Sequence, residues 1–598
     1  MFTTDFRKWA TLAGCVFCIA IFPSSLGASN AYIVRNLASD VPDLADNTDP
    51  NLKGAWGISE SSGSPFWISD AGSGLSTLYN SFGVAQAVVV TIPPSKASGA
   101  VPGVPTGTVY NGTTGFAIAT GDPAKFIFAT LDGTISGWNP SVNKAEAQVM
   151  VDNSASGAIY TGLAMGTSGS NTYLYAANLH SGTIDVFDSD YNVVTLPNAF
   201  QDSMLPAGYA PFNIQNLAAN LYVAYALQNT GKNFATSGAG DGYVDVYSPA
   251  GTLMQRLISG GNQSKLNTPW GLAIAPTNFG DYANDLLVGN FGDGAINVFN
   301  PTTGAYVATL NDVYGTTIVI PNLWALQAGN GGSGGDANAV YFTAGIPGPD
   351  NGNHGLLGRL QSAPVVSATN VVNGASFQPA IAPNTWVTIT GANLSGTERL
   401  WNDGDFVNGA LPTDVDSVGV TVNGTYAYVE YVSPTQLNVL MPVSLASGQA
   451  QVQTFNFGLS SAVVNVQVQD VAPAFFLQPD GKHIAATHAD GSLIAPAGTT
   501  GASPAAPGET IVLYGTGFGV TNPVTPEGML ITTALPLATT PIVTIGTAGA
   551  QVAFAGLTYA GLYQINVTVP ASTASGDVPV VALVGSTASP SGAVIAVQ

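Results

Sequence analysis

Few side chains in this sequence could do acid–base, nucleophilic or metal chemistry, and their spacing limits what that chemistry could be. There are four histidines, His180, His354, His483 and His488. No two of them stand at ligand spacing on one strand or helical turn, so neither a zinc site nor a serine–histidine–acid triad is expected, and each reads as a solvated loop residue. The two cysteines, Cys15 and Cys18, lie together near the N-terminus. Upstream of Leu360 the only glutamates are Glu60 and Glu146. Aspartates stand at both ends of residues 281–285 and between glycines at residues 292–294. Hard carboxylate oxygens suit calcium, but neither stretch has a full ligand spacing, and Asp beside Gly equally closes a hairpin turn. The glycine-rich stretch 329–335 lacks the strand-to-helix setting of a phosphate cradle and reads as a flexible loop.

The elements that must position such groups are strands. With 71 Gly, 38 Pro and only 8% charged residues among 598, the composition favours many short strands and tight turns over helices, and the length calls for several domains of about 100–250 residues. A formal charge of −22 with 13 Lys plus Arg leaves no basic stripe for a phosphate backbone, which argues against nucleic acid as a partner. Arg7 and Lys8 precede an apolar run over residues 10–22, and the small residues Ser25, Gly27, Ala28 and Ala31 follow it. That is the pattern of a signal peptide over residues 1–28, cleaved near residues 27–31. Leu12-Ala13-Gly14-Cys15 spells a lipoprotein box, but too little apolar sequence precedes Cys15. Cleavage would remove both cysteines, so the mature chain is expected to hold no disulfide and no cysteine metal site. No later stretch is long and apolar enough to span a bilayer as a helix. The expected location is therefore secreted, periplasmic or extracellular.

A unit of about 50 residues recurs six times between residues 32 and 362. Its clearest strand opens at Gly74, Gly133, Gly182, Gly242, Gly294 and Gly355 and ends at Tyr79, Trp138, Phe187, Tyr247, Phe299 and Leu360. A shorter strand precedes each, over residues 66–70, 126–130, 174–178, 221–225, 286–290 and 340–344, and its penultimate residue is always small: Ser69, Ala129, Ala177, Ala224, Gly289, Thr343. Small residues at one register imply close approach of a neighbouring strand. An inner strand comes first, seen as Trp56-Gly57-Ile58 and Trp270-Gly271-Leu272, with weaker versions at Phe116, Gly162, Asn216 and Leu323. An apolar run after the aromatic, as at residues 87–92, 147–151 and 306–310, supplies a fourth strand, and four short strands per repeat predict a six-bladed β-propeller, with residues 32–37 returning to complete the last blade. The recurring aromatic column is expected between blades. Asp70, Thr130, Asn178, Tyr225 and Asn290 end the second strands and vary between blades, which makes them the candidate ligand-binding positions. Capping the turns is the competing role.

The Trp-Gly-Ile and Phe-Trp-Ile-Ser-Asp segments, at Trp56 and Phe66, resemble NHL-type propellers, and residues 49–79 resemble the opening of an uncharacterised bacterial family of secreted propellers. The resemblance covers residues 32–362 and implies fold without activity. Lactonase-type six-bladed propellers place a channel Glu with Asn and Asp on a calcium-like ion; by that likeness Glu60 with Asp70, Asn178 and Asn290 would be the metal set here. The alternative places Glu60 in an exposed turn with Ser61 and Ser62. No cofactor other than such a calcium is indicated.

Beyond Pro364 the pattern changes. Residues 383–394 match residues 507–518 as an alternating strand followed by a glycine turn, and Gln436-Leu437-Asn438-Val439 matches Gln564-Ile565-Asn566-Val567. Two such copies read as tandem antiparallel sandwiches, residues 365–470 and 471–598. The first strand with its glycine turn resembles TIG-type immunoglobulin-like domains, and residues 371–377 onward resemble a C-terminal module of secreted soil-bacterial proteins, which implies a spacer or attachment role. The fold class expected is all-β, and the leading function is a secreted, non-enzymatic binding or interaction protein with an extracellular carbohydrate or protein as ligand. A metal-dependent, lactonase-like hydrolase working in the propeller channel and a structural cell-surface or matrix component are the alternatives.

Overall fold

The structure, a computed structural model, describes residues 31–97, 102–312, 314–347, 353–456 and 459–598. The expected signal peptide, residues 1–28, and both cysteines lie outside the described residues. The chain divides into two compact units, one ending at Ser362 and the other beginning at Ala363.

The first unit is a six-bladed propeller. Blade 1 pairs Ala55–Ser59, Phe66–Asp70, Leu75–Tyr79 and Ala85–Thr91 in order; blade 2 pairs Pro105–Tyr110, Phe126–Thr130, Thr134–Trp138 and Gln148–Asp152. Blade 4 (Tyr209–Leu217, Asn220–Gln228, Tyr243–Tyr247, Leu253–Ile258) and blade 5 (Pro269–Ile274, Leu286–Asn290, Ile296–Phe299, Tyr306–Thr309) repeat the meander. Blade 3 has three strands, Tyr160–Ser168, Asn171–Asn178 and Thr183–Phe187, and in place of a fourth an irregular segment bridges Val193 to Phe187 and donates from Val194 N to Val186 O at 2.8 Å. Blade 6 joins Leu323–Ala328, Val340–Ala344 and Leu356–Ser362 to the N-terminal strand Tyr32–Ser39, which runs antiparallel from Tyr32↔Ser362 to Ser39↔Leu356. The innermost strands touch their neighbours in turn all the way round, the last against the first.

The repeated residues explain the closure. Each column residue is buried and packs in a cluster with the preceding blade: Trp138 with Trp67, Phe187 with Ile127, Tyr247 with Tyr175, Phe299 with Val244, Leu360 with Ile296, and Tyr79 with Tyr341 across the closing seam. At the axis the inner strands come so close that side chains are excluded. A Cβ on Gly271 would lie 2.6 Å from the Trp324 carbonyl, and one on Gly57 would strike that of Thr106. All six inner strands also break register once, beside their first residue in five blades and beside Pro211, the third residue, in blade 4, so that an extra residue bulges there.

Two of the expected inner strands are placed differently. Phe116 and Ile118 lie in or beside a separate two-stranded ribbon, Ala117–Ala119 with Asp122–Pro123, while Thr106-Gly107 on Pro105–Tyr110 holds the axial place. In blade 4 the inner strand is longer, so Phe212-Asn213 sits at the axis and Asn216 lies at its outer end, entering the turn where Ala218 and Ala219 take positive φ. In blade 2 the aromatic Phe116 lies off the axis, whereas in blade 4 the axial aromatic is Phe212, upstream of Asn216.

The second unit holds two sandwiches. In the first, the sheet containing Trp386–Ala392 and Gln436–Leu440 faces the sheet containing Val418–Val422 and Gly448–Asn456 across a core of Val387, Ile389, Val420, Leu437, Val439 and Val452. In the second, Thr510–Thr516, Leu562–Thr568, Ala548–Tyr559 and Gly576–Val584 surround Leu513, Ile565, Val567 and Val580. The matching motifs share a register: Gln436 faces Thr390 and Gln564 faces Tyr514. In both, the Gln amide donates to the Asn two residues on, at 2.9 Å, while the intervening residues enter the core. The sandwiches are fastened to one another by Trp386, whose Nε1 donates to Ala560 O and whose backbone N donates to Thr516 Oγ1, both at 3.0 Å.

Candidate functional site

The five strand-end residues do converge on one end of the propeller. Asp70 pairs with Ala55, Thr130 with Pro105, Asn178 with Tyr160 and Asn290 with Pro269, each at the first residue of an inner strand, whereas Tyr225 lies inside a strand that runs on to Gln228 and pairs with Pro211, the third residue of its inner strand. All five are buried, and their polar atoms turn into the blade. Thr77 Oγ1 donates to Asp70 Oδ2 at 2.8 Å, Thr130 and Thr134 hydroxyls lie 2.8 Å apart, and Asn178 Nδ2 donates to Asp185 Oδ2 at 2.9 Å. The Tyr225 and Tyr247 hydroxyls are 2.9 Å apart, and Asn290 Nδ2 donates to Lys265 O at 2.8 Å. Burial, with the charges of Asp49 and Asp40 adding to it, raises the Asp70 pKa well above the usual carboxylate range; burial does the same to the Tyr225 phenol.

The residue after each strand end is apolar or small: Ala71, Leu131, Leu179, Ala226, Phe291 and Gly345. In five blades its N–H donates to the carbonyl just before or at the start of the inner strand, as from Leu131 to Val104 and from Phe291 to Thr268. This ring surrounds an axis filled by aromatic side chains. Trp56 stacks on Trp324 with centroids 3.5 Å apart, Phe291 lies 4.3 Å from the same Trp324, and Phe212 and Trp270 follow at 5.8 and 5.9 Å. Phe234 stands nearly perpendicular to Trp56, Phe212 and Trp324. It comes from a hairpin of blade 4, tied down where Gln228 Nε2 donates to Leu179 O at 2.6 Å and Thr268 Oγ1 to Thr236 O at 3.2 Å. What this end of the propeller offers a partner is the set of loops round a solid aromatic hub.

The metal set is not brought together. Asp70 pairs with Ala55 at one end of the inner strand, whereas Glu60 follows Ser59 at the other. Glu60 is also not in an exposed turn: the glycine-rich stretch folds over it, with Asn330 Nδ2 donating to Ser61 O at 2.8 Å and Ser64 O at 3.0 Å. Burial pushes the Glu60 carboxyl up to about 8, opposed only by the Gln327 amide 3.5 Å away. Among the described residues no three His, Cys, Asp or Glu side chains are grouped to hold a metal ion. The aspartate loops close turns: Asp293 accepts from Ala295 N at 3.1 Å, and Asp281 lies in a short 3-10 turn.

Three of the four histidines depart from the solvated-loop reading; His180 stays in a turn, its Nδ1 3.2 Å from Lys232 O. His354 Nδ1 lies 2.7 Å from Asp40 Oδ2, His483 sits between Asp480 and Asp577, and His488 meets Glu509 and Ser503. These partners are 3 to 314 residues away in sequence, which is why spacing alone could not find most of them.

Residues 375–469 match the IPT/TIG domain. The uncharacterized protein R648 of Acanthamoeba polyphaga mimivirus is 31% identical over 340 residues, 56% of this chain and 81% of that protein. The uncharacterized protein L690 of the same virus is 30% identical over 342 residues, 56% of this chain and 86% of that one. The chain belongs to the family of these proteins. These relatives are viral; the bacterial source implied by the sequence resemblance is not among what they show. Among solved structures, streptogramin B lyase aligns with a TM-score of 0.33 at 10% identity, covering 55% of this chain and 98% of that one. Regucalcin from Agrobacterium tumefaciens aligns with a TM-score of 0.31 at 11% identity, over 52% and 92%. No helix among the described residues is long and apolar enough to cross a membrane.

Proposed function

We propose that this is an exported binding protein whose propeller recognises an extracellular carbohydrate or protein without turning it over, while the immunoglobulin-like sandwiches space or anchor it. The observation that carries this reading is the aromatic hub. Six aromatic rings occupy the axis where a propeller hydrolase would need an open, polar, ion-holding channel, so recognition falls to the loops around it. The IPT/TIG match agrees with an interaction role for the second unit, and the basic-then-apolar N-terminus agrees with export.

The test uses the full chain on glycan and protein arrays, followed by calorimetry with calcium and with EDTA. Saturable binding that survives EDTA and yields no product supports the proposal. Turnover that is metal-dependent and lost in Glu60→Gln would replace it with the hydrolase reading. Retention on cell envelopes without any soluble ligand would replace it with a structural role. Cell fractionation of a tagged chain tests export.

A further inference from the structure

In the C-terminal sandwich three residues distant in sequence meet at one point of the surface. The short strands Ala486–Thr487, Leu493–Ile494 and Ala502–Ser503 lie side by side, with Thr487 opposite Leu493 and Leu493 opposite Ala502. His488 leaves the first strand into a turn closed by its N–H on Ser492 O at 2.9 Å. Its Nε2 lies 3.0 Å from Ser503 Oγ, and its Nδ1 lies 2.5 Å from Glu509 Oε1. The other Glu509 oxygen accepts from Ala506 N at 2.8 Å, which fixes the carboxylate. The side chains of His488 and Glu509 are 14% and 24% exposed, and Ser503 is open to solvent.

We propose that Ser503, His488 and Glu509 form an acyl-transfer site that hydrolyses small esters, an activity separate from the propeller's binding role. A nucleophile in reach of a base, and a base held by a third group, is the arrangement that activates a serine hydroxyl. With Nδ1–H donated to Glu509, the neutral imidazole turns its Nε2 lone pair to Ser503. The hydroxyl oxygen attacks the ester carbonyl carbon and its proton passes to Nε2. The imidazolium, held by Glu509 and by the Ser503 carbonyl 3.2 Å from Nε2, returns that proton to the departing alkoxide as the C–O bond breaks. Water, deprotonated by Nε2, then attacks the acyl-serine carbonyl, and the imidazolium returns that proton to the departing Ser503 oxygen, so ester and water become acid and alcohol with no other reactant. Ser503 and His488 are the catalytic residues, and Glu509 positions the base. General-base assistance is worth about 10²–10⁴-fold, and Ser503 stands on an open surface, so the class it suits is short acyl esters with good leaving groups.

The groups facing His488 set its pH range. Burial alone would lower the imidazole pKa, but the bonds to Glu509 and the Ser503 carbonyl, with the charges of Glu509 and Asp490, outweigh it and hold it above the ordinary histidine value. Acceptance of the serine proton therefore sets in as pH rises through that raised value.

The experiment treats the full chain with an alkyl fluorophosphonate and, separately, follows p-nitrophenyl acetate hydrolysis between pH 6 and 10. Label is expected on Ser503 alone, lost in Ser503→Ala, and hydrolysis is expected to fall at least tenfold in Ser503→Ala and His488→Gln. In Glu509→Gln the midpoint of the rate profile is expected to move to lower pH, which a merely structural role would not produce. Absence of label at Ser503 in a chain that melts normally, or a Ser503→Ala chain as fast as wild type, overturns the proposal. Array binding by the propeller is untouched by either result.

Discussion

The propeller and the sandwich unit differ in how they hold their acids. In the propeller burial pushes Asp70 well up, Glu60 to about 8 and Asp245, which also accepts from the Arg256 guanidinium at 2.7 Å, to about 7. The sandwich unit holds Glu430 in the same way, raised by burial to about 7, but Asp405, Asp480, Asp490, Glu527 and Asp577 are held below their usual range. The Arg399 guanidinium bonded to Asp405 holds that carboxyl below its usual range, and burial of Glu527 is outweighed by N–H donors from Val443 and Ser444 and the Tyr428 hydroxyl. Six repeats around an axis leave almost every recurring polar atom between sheets, where a charge is costly. A two-layer sandwich presents its loops to water, where ion pairs form cheaply and proton chemistry remains accessible. The difference teaches where to look for each activity: shape in the first unit, titratable groups in the second.

The sharpest way to break that contrast is to open the ring. Deleting residues 32–37 strips blade 6 of its outer strand, and calorimetry should show the propeller transition collapse while the sandwich transition stays. An unchanged propeller transition would mean that closure does not depend on this strand. Next comes the hub: Trp324→Ala should cost about 3–5 kcal/mol by denaturant unfolding, the range for emptying a large buried aromatic. Smaller still is Gly271→Ala, where the new Cβ meets the Trp324 carbonyl; overpacking of this kind costs about 1–3 kcal/mol.

The smallest effect concerns pH and has a sign in each unit. Glu60 and Asp245 bind protons more tightly folded than unfolded, so their contribution is full below about pH 4 and is lost as pH rises through about 7 and 8. Asp405 and Glu527 bind protons less tightly when folded, so theirs is present above about pH 4 and lost as pH falls below it. Two-transition melts should therefore show the propeller weakening from pH 6 to 9 and the sandwich unit weakening from pH 5 to 3. A propeller that gains stability at pH 9 would contradict the neutral-acid account.

The ring was legible in the sequence because its rules are local and repeated: an aromatic at one register, a small residue at another, a glycine at the turn. The two inner strands that differ do so for separate reasons: in blade 2 Phe116 lies off the axis and Thr106-Gly107 carries no aromatic mark, whereas in blade 4 the strand is longer and the axial Phe212 stands upstream of Asn216. The strand-end residues lie at one end of the axis, but which way each side chain turns depends on neighbours such as Thr77, Asp185 and Tyr247 in the third strand. Glu60 was misread because its cover, residues 329–335, arrives from the last blade. His488, Ser503 and Glu509 were invisible for a related reason: a parallel pairing of two short strands, not a sequence interval, puts the hydroxyl beside the ring.

The N-terminal strand has a consequence for synthesis. Ser39, among the earliest residues of the folded part to leave the ribosome, donates its hydroxyl to a carbonyl 316 residues later. At about 5–20 residues per second, that first strand waits roughly 15–60 s for its partner, and a transcript broken anywhere before the codon for Leu356 makes no closed ring at all.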